Sequence, residues 1–229
     1  VIQPVARRTT KGRRLNQGRI DQQRPESKHH PQNIQTTRNQ STQIKTSIFD
    51  HGKIITYTPS MQSALFVGRF QPFHKGHLDV VKQILKENER VIIVIGSAEK
   101  NLLPDNPLTA GERFQIIEES LREAKIPAEK FCIIPVRNVN NYAIWVNHLN
   151  IYIPPYDKVY TGSRIVRACY EELKDNPEII ELKRILPISA TKVRTAILKN
   201  KAWEKLVPAA AAKLLKKWGI TKRLNHIQD

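Results

Sequence analysis

The segment Gly68–His77 (GRFQPFHKGH) has the composition of a phosphate-binding turn, with two glycines, two histidines and an arginine. It follows the apolar run Ala64–Val67 and precedes a helical repeat of apolar residues, which predicts a buried strand that turns into a helix near Gly76. A helix N-terminus offers unpaired N–H groups and a partial positive charge to an anion. His74 and His77 can face the same bound group across that turn. An ordinary strand-to-helix turn with two surface histidines is the alternative interpretation.

The elements that position this turn alternate between strands and helices from Met61 onward. Apolar runs rich in β-branched residues are predicted as parallel strands, and a capping-box pattern at Thr109–Glu112 predicts the start of a helix. Regular alternation predicts an α/β fold with a doubly wound parallel sheet and right-handed crossovers. C-terminal helices are predicted at about Thr191–Lys199 and Pro208–Trp218, after a short extended segment at Ile185–Ile188. The predicted strands are Ala64–Val67, Val91–Ile95, Phe131–Val136 and Lys158–Gly162.

Small and polar residues follow the end of each predicted strand. In sheets of this kind, ligands bind beyond the carboxyl ends of the strands, where the strand order reverses. We therefore expect one shared site, built from Gly68–His77, Gly96–Ser97, Arg137–Tyr142 and Gly162–Arg164. The chain lacks the patterns GxGxxG and GxxxxGK(S/T), so the sequence indicates neither a dinucleotide-binding Rossmann site nor a P-loop.

Residues 1–60 differ in composition from the rest of the chain. They carry 11 Lys and Arg against 3 Asp and Glu, a formal charge of +8, and are rich in Gln, Asn, Thr and Ser. Such a segment buries too little apolar surface to offset the entropy of ordering it, so we expect a disordered basic extension. Residues 61–229 contain every long apolar periodicity and are expected to form one domain.

Met61 is the only methionine of the chain and stands where this extension ends, whereas residue 1 is Val. The simplest interpretation is that residues 1–60 are an upstream region translated from a misassigned start. The alternative is a basic arm that binds nucleic acid, which is less favoured because no aromatic residues interleave its arginines.

The chain of 229 residues carries a formal charge of +17, which favours polyanionic partners, whether nucleotides or nucleic acid. Cys132 and Cys169 lie far apart and form no CxxC pair, so the sequence shows neither a disulfide framework nor a zinc site. A reducing cytoplasm is the expected location. The longest apolar runs, such as Val91–Ile95, are far too short to cross a bilayer, and no membrane association is expected.

Four segments together resemble the archaeal-type nicotinamide-nucleotide adenylyltransferases of the H-x-G-H nucleotidyltransferase superfamily. Gly68–His77 resembles the first signature, and Ile188–Arg194 is similar to the second, of the form I-S-S/G-T-x-x-R. Asn106–Arg113 resembles a segment with a phosphate-binding arginine, and Pro154–Gly162 resembles the fourth strand. The resemblance covers about residues 61–210 and implies a Rossmann-like nucleotidyltransferase fold.

The resemblance implies which residues act on ATP. His74 and His77 are expected to donate to the triphosphate, while Arg194 supplies a permanent forked cation. These three form the expected catalytic set, because adenylyl transfer needs positive donors on the oxygens that gain charge. The alternatives are N-caps for Ser189 and Thr191 and surface roles for the arginines. The other residues expected at ATP are Gly68, Arg69, Phe70, Gly76, Arg113, Ser189 and Thr191.

The acceptor side matches the family less closely. Arg69 is expected to hold the acceptor phosphate, and Trp145 matches a tryptophan that stacks on the pyridine, with a core tryptophan as the alternative. Asn138 and Asn140 stand where the family tends to have acidic groups. They can hydrogen-bond an amide but supply no negative charge to a cationic ring. Mg²⁺ is expected through the ATP phosphates, since the motifs offer no carboxylate cluster that could hold it alone.

The function implied is transfer of the adenylyl group of ATP to nicotinamide mononucleotide, which gives NAD and pyrophosphate. The expected partners are therefore ATP and nicotinamide mononucleotide, and the resemblance also implies a homo-oligomer. One alternative is an adenylyltransferase for another acceptor, FMN or pantetheine phosphate. A second alternative, from a different class, is a nucleic-acid-binding protein whose basic arm is the working part and whose sheet is a scaffold.

Deletion of residues 1–60 is expected to leave the rate of pyrophosphate release from ATP unchanged, because no motif of the expected site lies in them. The measurement compares the full chain with residues 61–229 under the same acceptor and ATP concentrations. Loss of turnover in the shortened chain would contradict the interpretation of these residues as a dispensable extension.

Overall fold

The computed structural model describes residues 35–36, 46–50, 53–57, 62–173, 177–182 and 186–227, which fall into two units, Val1–Thr58 and Pro59–Asp229. In the first unit, strands β1 (Gln35–Thr36), β2 (Thr46–Asp50) and β3 (Lys53–Tyr57) pair antiparallel in that order. The sequence pattern does not predict these strands. The rest of the expected disordered extension lies outside the described residues.

The second unit is a parallel sheet with helices packed on it. Its strands are β4 (Ser63–Gly68), β5 (Arg90–Ile95), β6 (Phe131–Pro135), β7 (Lys158–Thr161) and β8 (Glu178–Glu181), in the order β6-β5-β4-β7-β8. Its helices are α1 (Lys75–Glu87), α2 (Ala110–Glu123), α3 (Trp145–Asn150), α4 (Arg164–Glu171), α5 (Ala190–Leu198), α6 (Ala209–Lys217) and α7 (Ile220–His226). This confirms the predicted α/β fold with a parallel sheet. Among the described helices, none is long and apolar enough to cross a membrane.

Alternate side chains of the central strands pack on opposite faces of the sheet. Phe66 of β4 joins a cluster with side chains of α1, α2, α5, α6 and α7, whereas Leu65 joins a second cluster with α3 and α4. Both residues are buried, with 5% and 0% of their surface exposed. Because both faces are covered, β5 needs apolar residues at every position, which explains the continuous run Val91–Ile95 in the sequence.

Two elements differ from the predictions. β8 carries only two apolar residues between exposed glutamates, so its sequence, EIIE, lacks the pattern of the buried strands. The predicted extended segment Ile185–Ile188 lies after it, and its described residues form no strand. α6 ends before Gly219 as predicted, but α7 follows at once, because Gly219 adopts the left-handed conformation (φ 62°) that lets one helix stop and another begin.

The strand ends form one edge of the sheet. Gly68 pairs with Ile95, which in turn pairs with Pro135, so the segments that follow β4, β5 and β6 leave the sheet side by side. The strand order reverses at β4, because β5 and β6 lie on one side of it and β7 and β8 on the other. This is the position at which parallel sheets bind ligands.

A half-buried ion pair joins α7 to the start of α2. Arg223 donates from both terminal nitrogens to the carboxylate of Glu112, at 2.7 and 2.8 Å, and the N–H of Thr109 donates to the same carboxylate at 2.9 Å. Burial alone raises the pKa of Glu112, but these hydrogen bonds outweigh it and the net pKa lies below its ordinary value of 4.5. The ionised carboxylate therefore stabilises the fold above that value and loses its effect as the pH falls through the lowered pKa.

Replacement of Glu112→Gln is expected to lower the free energy of unfolding at pH 7 by about 1–3 kcal/mol, because Arg223 loses a charged acceptor. The deficit should shrink below pH 4.5, where the wild-type carboxylate also becomes protonated. Urea unfolding at pH 7 and at about pH 3 measures both values. The control is Glu119→Gln, which removes an exposed pair with Arg122 and should change stability by about 0.5 kcal/mol or less. Equal effects of the two substitutions would contradict the role of burial.

Candidate active site

A pocket of about 440 Å³ opens beyond the carboxyl end of β4, between the N-termini of α1 and α5. The two signatures, separated by more than a hundred residues in sequence, both line it. The sequence-predicted residues that the structure brings together here are Gly68, His74, Gly76, His77 and Ser189. Two helix N-termini therefore face one cavity, which is the arrangement that favours a polyanion.

The two histidines cap α1 reciprocally. Nδ1 of His74 accepts from the N–H of His77, and Nδ1 of His77 accepts from the N–H of His74, both at 3.3 Å. Their rings stack with centroids 3.6 Å apart. Because Nδ1 acts as an acceptor in each ring, the proton of a neutral imidazole lies on Nε2, and Nε2 is the N–H donor of each ring.

Phe70 has a packing role beside the pocket, and its expected place at ATP stays a prediction. Its ring is 98% buried and meets the edge of His77, with centroids 4.9 Å apart. The backbone of Phe70 is left-handed (φ 51°), which folds the ring back onto Gly68. A Cβ atom at Gly68 would lie 2.7 Å from the ring, so this position requires glycine. The ring of Phe70 thus supports His77 and excludes a side chain at Gly68.

The second signature forms the start of α5. Ser189 is its N-cap, and the Oγ of Ser189 accepts from the N–H of Lys192 at 3.2 Å. The start of α5 is close to α1, because a Cβ atom placed on Gly76 would lie 3.9 Å from the carbonyl oxygen of Ile188. Thr191 is not among the residues that line the pocket, and its Oγ1 accepts from Arg194 at 3.5 Å. Of the two residues whose hydroxyls the sequence groups together, Ser189 lines the pocket and Thr191 does not.

Arg194 is 94% buried and already has an anionic partner. Its Nη2 lies 2.6 Å from Oδ1 of Asp105, and its Nη1 donates to the carbonyl oxygen of Gln71 at 3.0 Å. Burial, and secondarily the charge of Arg69, lower the pKa of Arg194, while Asp105 opposes the shift. Arg194 is therefore next to the turn of the first signature, but its guanidinium faces Asp105. Arg194 lines neither this pocket nor a second pocket on the other side of β4.

The side chain of Arg113 is enclosed by main chain, and its expected contact with phosphate stays a prediction that these contacts do not favour. The side chain is fully buried, and burial lowers the pKa of Arg113 to about 10. All of its nitrogens donate to main-chain carbonyls, so no donor remains for a ligand. The acceptors are Thr109, Arg69, Gly96, Ser97, Ala98 and Lys100, at 3.0 to 3.4 Å. Arg113 therefore ties the segments after β4 and β5 to α2.

Replacement of Arg113→Lys is expected to lower the free energy of unfolding by about 2–4 kcal/mol, because an ammonium group offers three donors in place of the fork and bonds to a charged donor are worth about 1.5–3 kcal/mol each. Urea unfolding measures the loss. The matched control is Arg122→Lys, on the exposed face of the same helix, which should change stability by about 0.5 kcal/mol or less. Unchanged stability with a raised KM for ATP would instead support a contact with phosphate.

A second pocket, of about 350 Å³, lies on the other side of β4. Arg69, Asn138 and Trp145, three of the residues predicted to bind the acceptor, line it, and the ring of Trp145 stands edge-on to Tyr170 with centroids 6.2 Å apart. Asn140 does not line it, because its side chain accepts from Nδ2 of Asn138 at 2.7 Å. The residues that the two pockets share are Val67, Gly68 and Ser163.

Two residues not singled out in the sequence line the first pocket, and Arg137, from the segment Arg137–Tyr142 that was expected at the site, lines the second. Asp79 and Gln83 lie four residues apart on one face of α1 and reach the first pocket, where Nε2 of Gln83 is buried with no hydrogen-bond partner among the described residues. Arg137 directly follows β6 and lines the second pocket. Their helix spacing and strand-end position were the available signals. Within the described residues, no group of three or more His, Cys, Asp or Glu could hold a metal ion.

Fold and site together define a nucleotidyltransferase, and residues 65–196 match the cytidylyltransferase-like family. Curated relatives named nicotinamide-nucleotide adenylyltransferase include one from Pyrobaculum aerophilum, 42% identical over 72% of this chain and 93% of its own length. Another, from Ignicoccus hospitalis, is 38% identical over 72% of this chain and 96% of its own. The chain belongs to the nicotinamide-nucleotide adenylyltransferase family, which confirms the resemblance seen in the sequence.

Solved structures confirm the fold. A bifunctional NMN adenylyltransferase/ADP-ribose pyrophosphatase from Francisella tularensis superposes with a TM-score of 0.61 at 22% identity, over 73% of this chain. This chain spans about half of that protein, 52% of its length. A second structure of that protein, with a TM-score of 0.58, holds AMP and a manganese ion.

Proposed function

We propose that the protein transfers the adenylyl group of ATP to nicotinamide mononucleotide, giving NAD and pyrophosphate. The observation that carries the proposal is the meeting of two pockets at Gly68: one holds the histidine pair and two helix N-termini, and the other holds an arginine and a tryptophan. Two substrates bound in these pockets would have their phosphates adjacent. The names of the relatives, nicotinamide-nucleotide adenylyltransferase, support the choice of acceptor.

In this proposal the first pocket binds ATP and the second binds the acceptor. An oxygen of the acceptor phosphate attacks the α-phosphorus of ATP, and pyrophosphate leaves towards the helix N-termini. Nε2 of His74 and of His77 donate to phosphate oxygens that gain charge, while Arg69, exposed at the rim of the second pocket, holds the acceptor phosphate. No covalent intermediate is needed, so catalysis consists of alignment and charge stabilisation.

A divalent metal ion, Mg²⁺ in our proposal, would arrive with the phosphates of ATP and offset part of their charge. The pocket fits this use, because its donors are imidazole and backbone N–H groups that suit phosphate, and among the described residues that line it Asp79 is the one acidic side chain. The structure of the Francisella tularensis protein with AMP and manganese supports a divalent ion in this fold.

Two further expectations stay proposals. A cytoplasmic location is supported by Cys132 and Cys169, which are both free. Association with further copies of the chain is supported by large apolar side chains that are 46–77% exposed near α3 and α4. They are Tyr142, Ile144, Ile151, Tyr152 and Ile165.

The acceptor is tested by measuring pyrophosphate release from ATP with nicotinamide mononucleotide, FMN and pantetheine phosphate at equal concentrations. Turnover with nicotinamide mononucleotide and formation of NAD are expected. Turnover with FMN or pantetheine phosphate but not with nicotinamide mononucleotide would show that the acceptor is a different phosphate. No turnover, together with salt-sensitive binding of DNA or RNA, would favour a nucleic-acid-binding protein.

Replacement of His77→Asn is expected to lower kcat by about 100-fold or more, because the asparagine oxygen can still accept from His74 in place of Nδ1 whereas the Nε2 donor is lost. The control is His226→Asn, an exposed position on α7 outside both pockets, which should retain full activity. Thermal unfolding of both variants checks that the fold is kept. Wild-type turnover of the His77 variant would remove this ring from the mechanism.

A further inference from the structure

The lining of the second pocket is cationic. Of the described residues that line it, two are arginines, Arg69 and Arg137, and none is an aspartate or a glutamate. The carboxylate of Glu99 lies behind this lining, where its Oε2 accepts from the N–H of Asn138 at 3.0 Å and its charge acts on buried Arg113. A ligand in this pocket therefore meets two arginines directly, whereas this carboxylate acts on it from behind the lining.

The main chain at Arg137 is held by hydrogen bonds, whereas its side chain is exposed to solvent. Its carbonyl oxygen lies 3.0 Å from Nε2 of His148, and the N–H of the preceding Val136 donates to Ile95 at the end of β5. The side chain is exposed, and no ion pair with it occurs within residues 62–173, 177–182 and 186–227. Its forked guanidinium is thus placed at the rim of the pocket without a protein anion to bind.

The two pyridine mononucleotides differ at one group. Both carry a cationic pyridinium ring and a phosphate, but the nicotinamide form has a neutral carboxamide, whereas the nicotinate form has a carboxylate. Beside two arginines, a cationic ring with a neutral substituent is repelled, while a ring carboxylate offsets that repulsion and can form a paired, charge-assisted hydrogen bond. Arg69 follows β4, where the pockets meet, and suits the phosphate. Arg137 follows β6, beside Asn138, and suits the ring substituent.

We propose that the acceptor pocket is adapted to a pyridine mononucleotide with a ring carboxylate, nicotinate mononucleotide, and that Arg137 binds that carboxylate and sets the preference. This inference rests on the proposed adenylyl transfer and specifies its acceptor. The nicotinamide form remains an acceptor, because both mononucleotides share the pyridinium ring on which Trp145 can stack, but it is the poorer one.

The test compares kcat/KM for the two mononucleotides at saturating ATP, in the wild type and in Arg137→Gln. The wild type is expected to favour the nicotinate form by about tenfold or more, the range of a charge-assisted pair at a partly exposed site. Arg137→Gln should lose that preference through a higher KM for the nicotinate form, with kcat and the KM for the nicotinamide form little changed. Arg137→Lys, which keeps the charge but not the fork, should fall between.

The matched control is Arg122→Gln, which removes an exposed arginine on α2 that lines neither pocket. This variant should keep the wild-type preference for the nicotinate form. Loss of a positive charge in general is thereby distinguished from loss of the contact made by Arg137. Calorimetric binding of each mononucleotide gives a second readout that does not need catalysis. A wild type that favours the nicotinamide form, or an Arg137→Gln variant that keeps the nicotinate preference, overturns the inference. No product with either mononucleotide overturns the proposed function, and the binding measurement still decides the role of Arg137.

Discussion

The site depends on one buried cation. Arg113 on α2 donates to the carbonyl oxygens of Arg69, Gly96 and Ser97, among others, and so holds the chain that leaves β4 against the chain that leaves β5. Buried carbonyls of irregular segments need donors, because neither a sheet nor a helix supplies them. One guanidinium supplies several, and both pockets are bordered by the segments that it fixes. The interior of the protein thus sets the shape of a surface that Arg113 itself never reaches.

A buried glutamine extends this scaffold. The side chain of Gln71 donates to the carbonyl oxygen of Leu108 and accepts from its N–H, both at 2.9 Å, while its own carbonyl accepts from Arg194. The turn of the first signature is therefore bonded to the segment before α2 and to α5. Polar side chains that bond to the main chain in this way restrict a loop to one conformation. Because the histidine pair directly follows this turn, its position is restricted as well.

The sequence predicts the parallel sheet because Val91–Ile95 and its counterparts are apolar at every position, which few structures other than a doubly covered strand require. It does not predict β8, whose two apolar residues carry no period. For the site, the signatures identify the residues at the pocket, such as His77 and Ser189, from helix starts and spacing. The signatures cannot show which way a side chain points. Arg113 lies within a matching segment, but its side chain points into the protein, because packing decides which side of α2 is buried. Asn140 likewise turns to Asn138 instead of the pocket.

The contact between Arg194 and Asp105 has a further consequence for how the protein meets polyphosphates. Asp105 is 74% exposed at its side chain and sits at the tip of a tight turn, whereas its partner is almost wholly enclosed. The carboxylate offsets the charge of Arg194 beside the turn of the first signature, and the pairing joins α5 to the chain between β5 and α2. An arginine that is counted from the sequence therefore adds little to the positive field at this turn, because its charge is balanced within the fold.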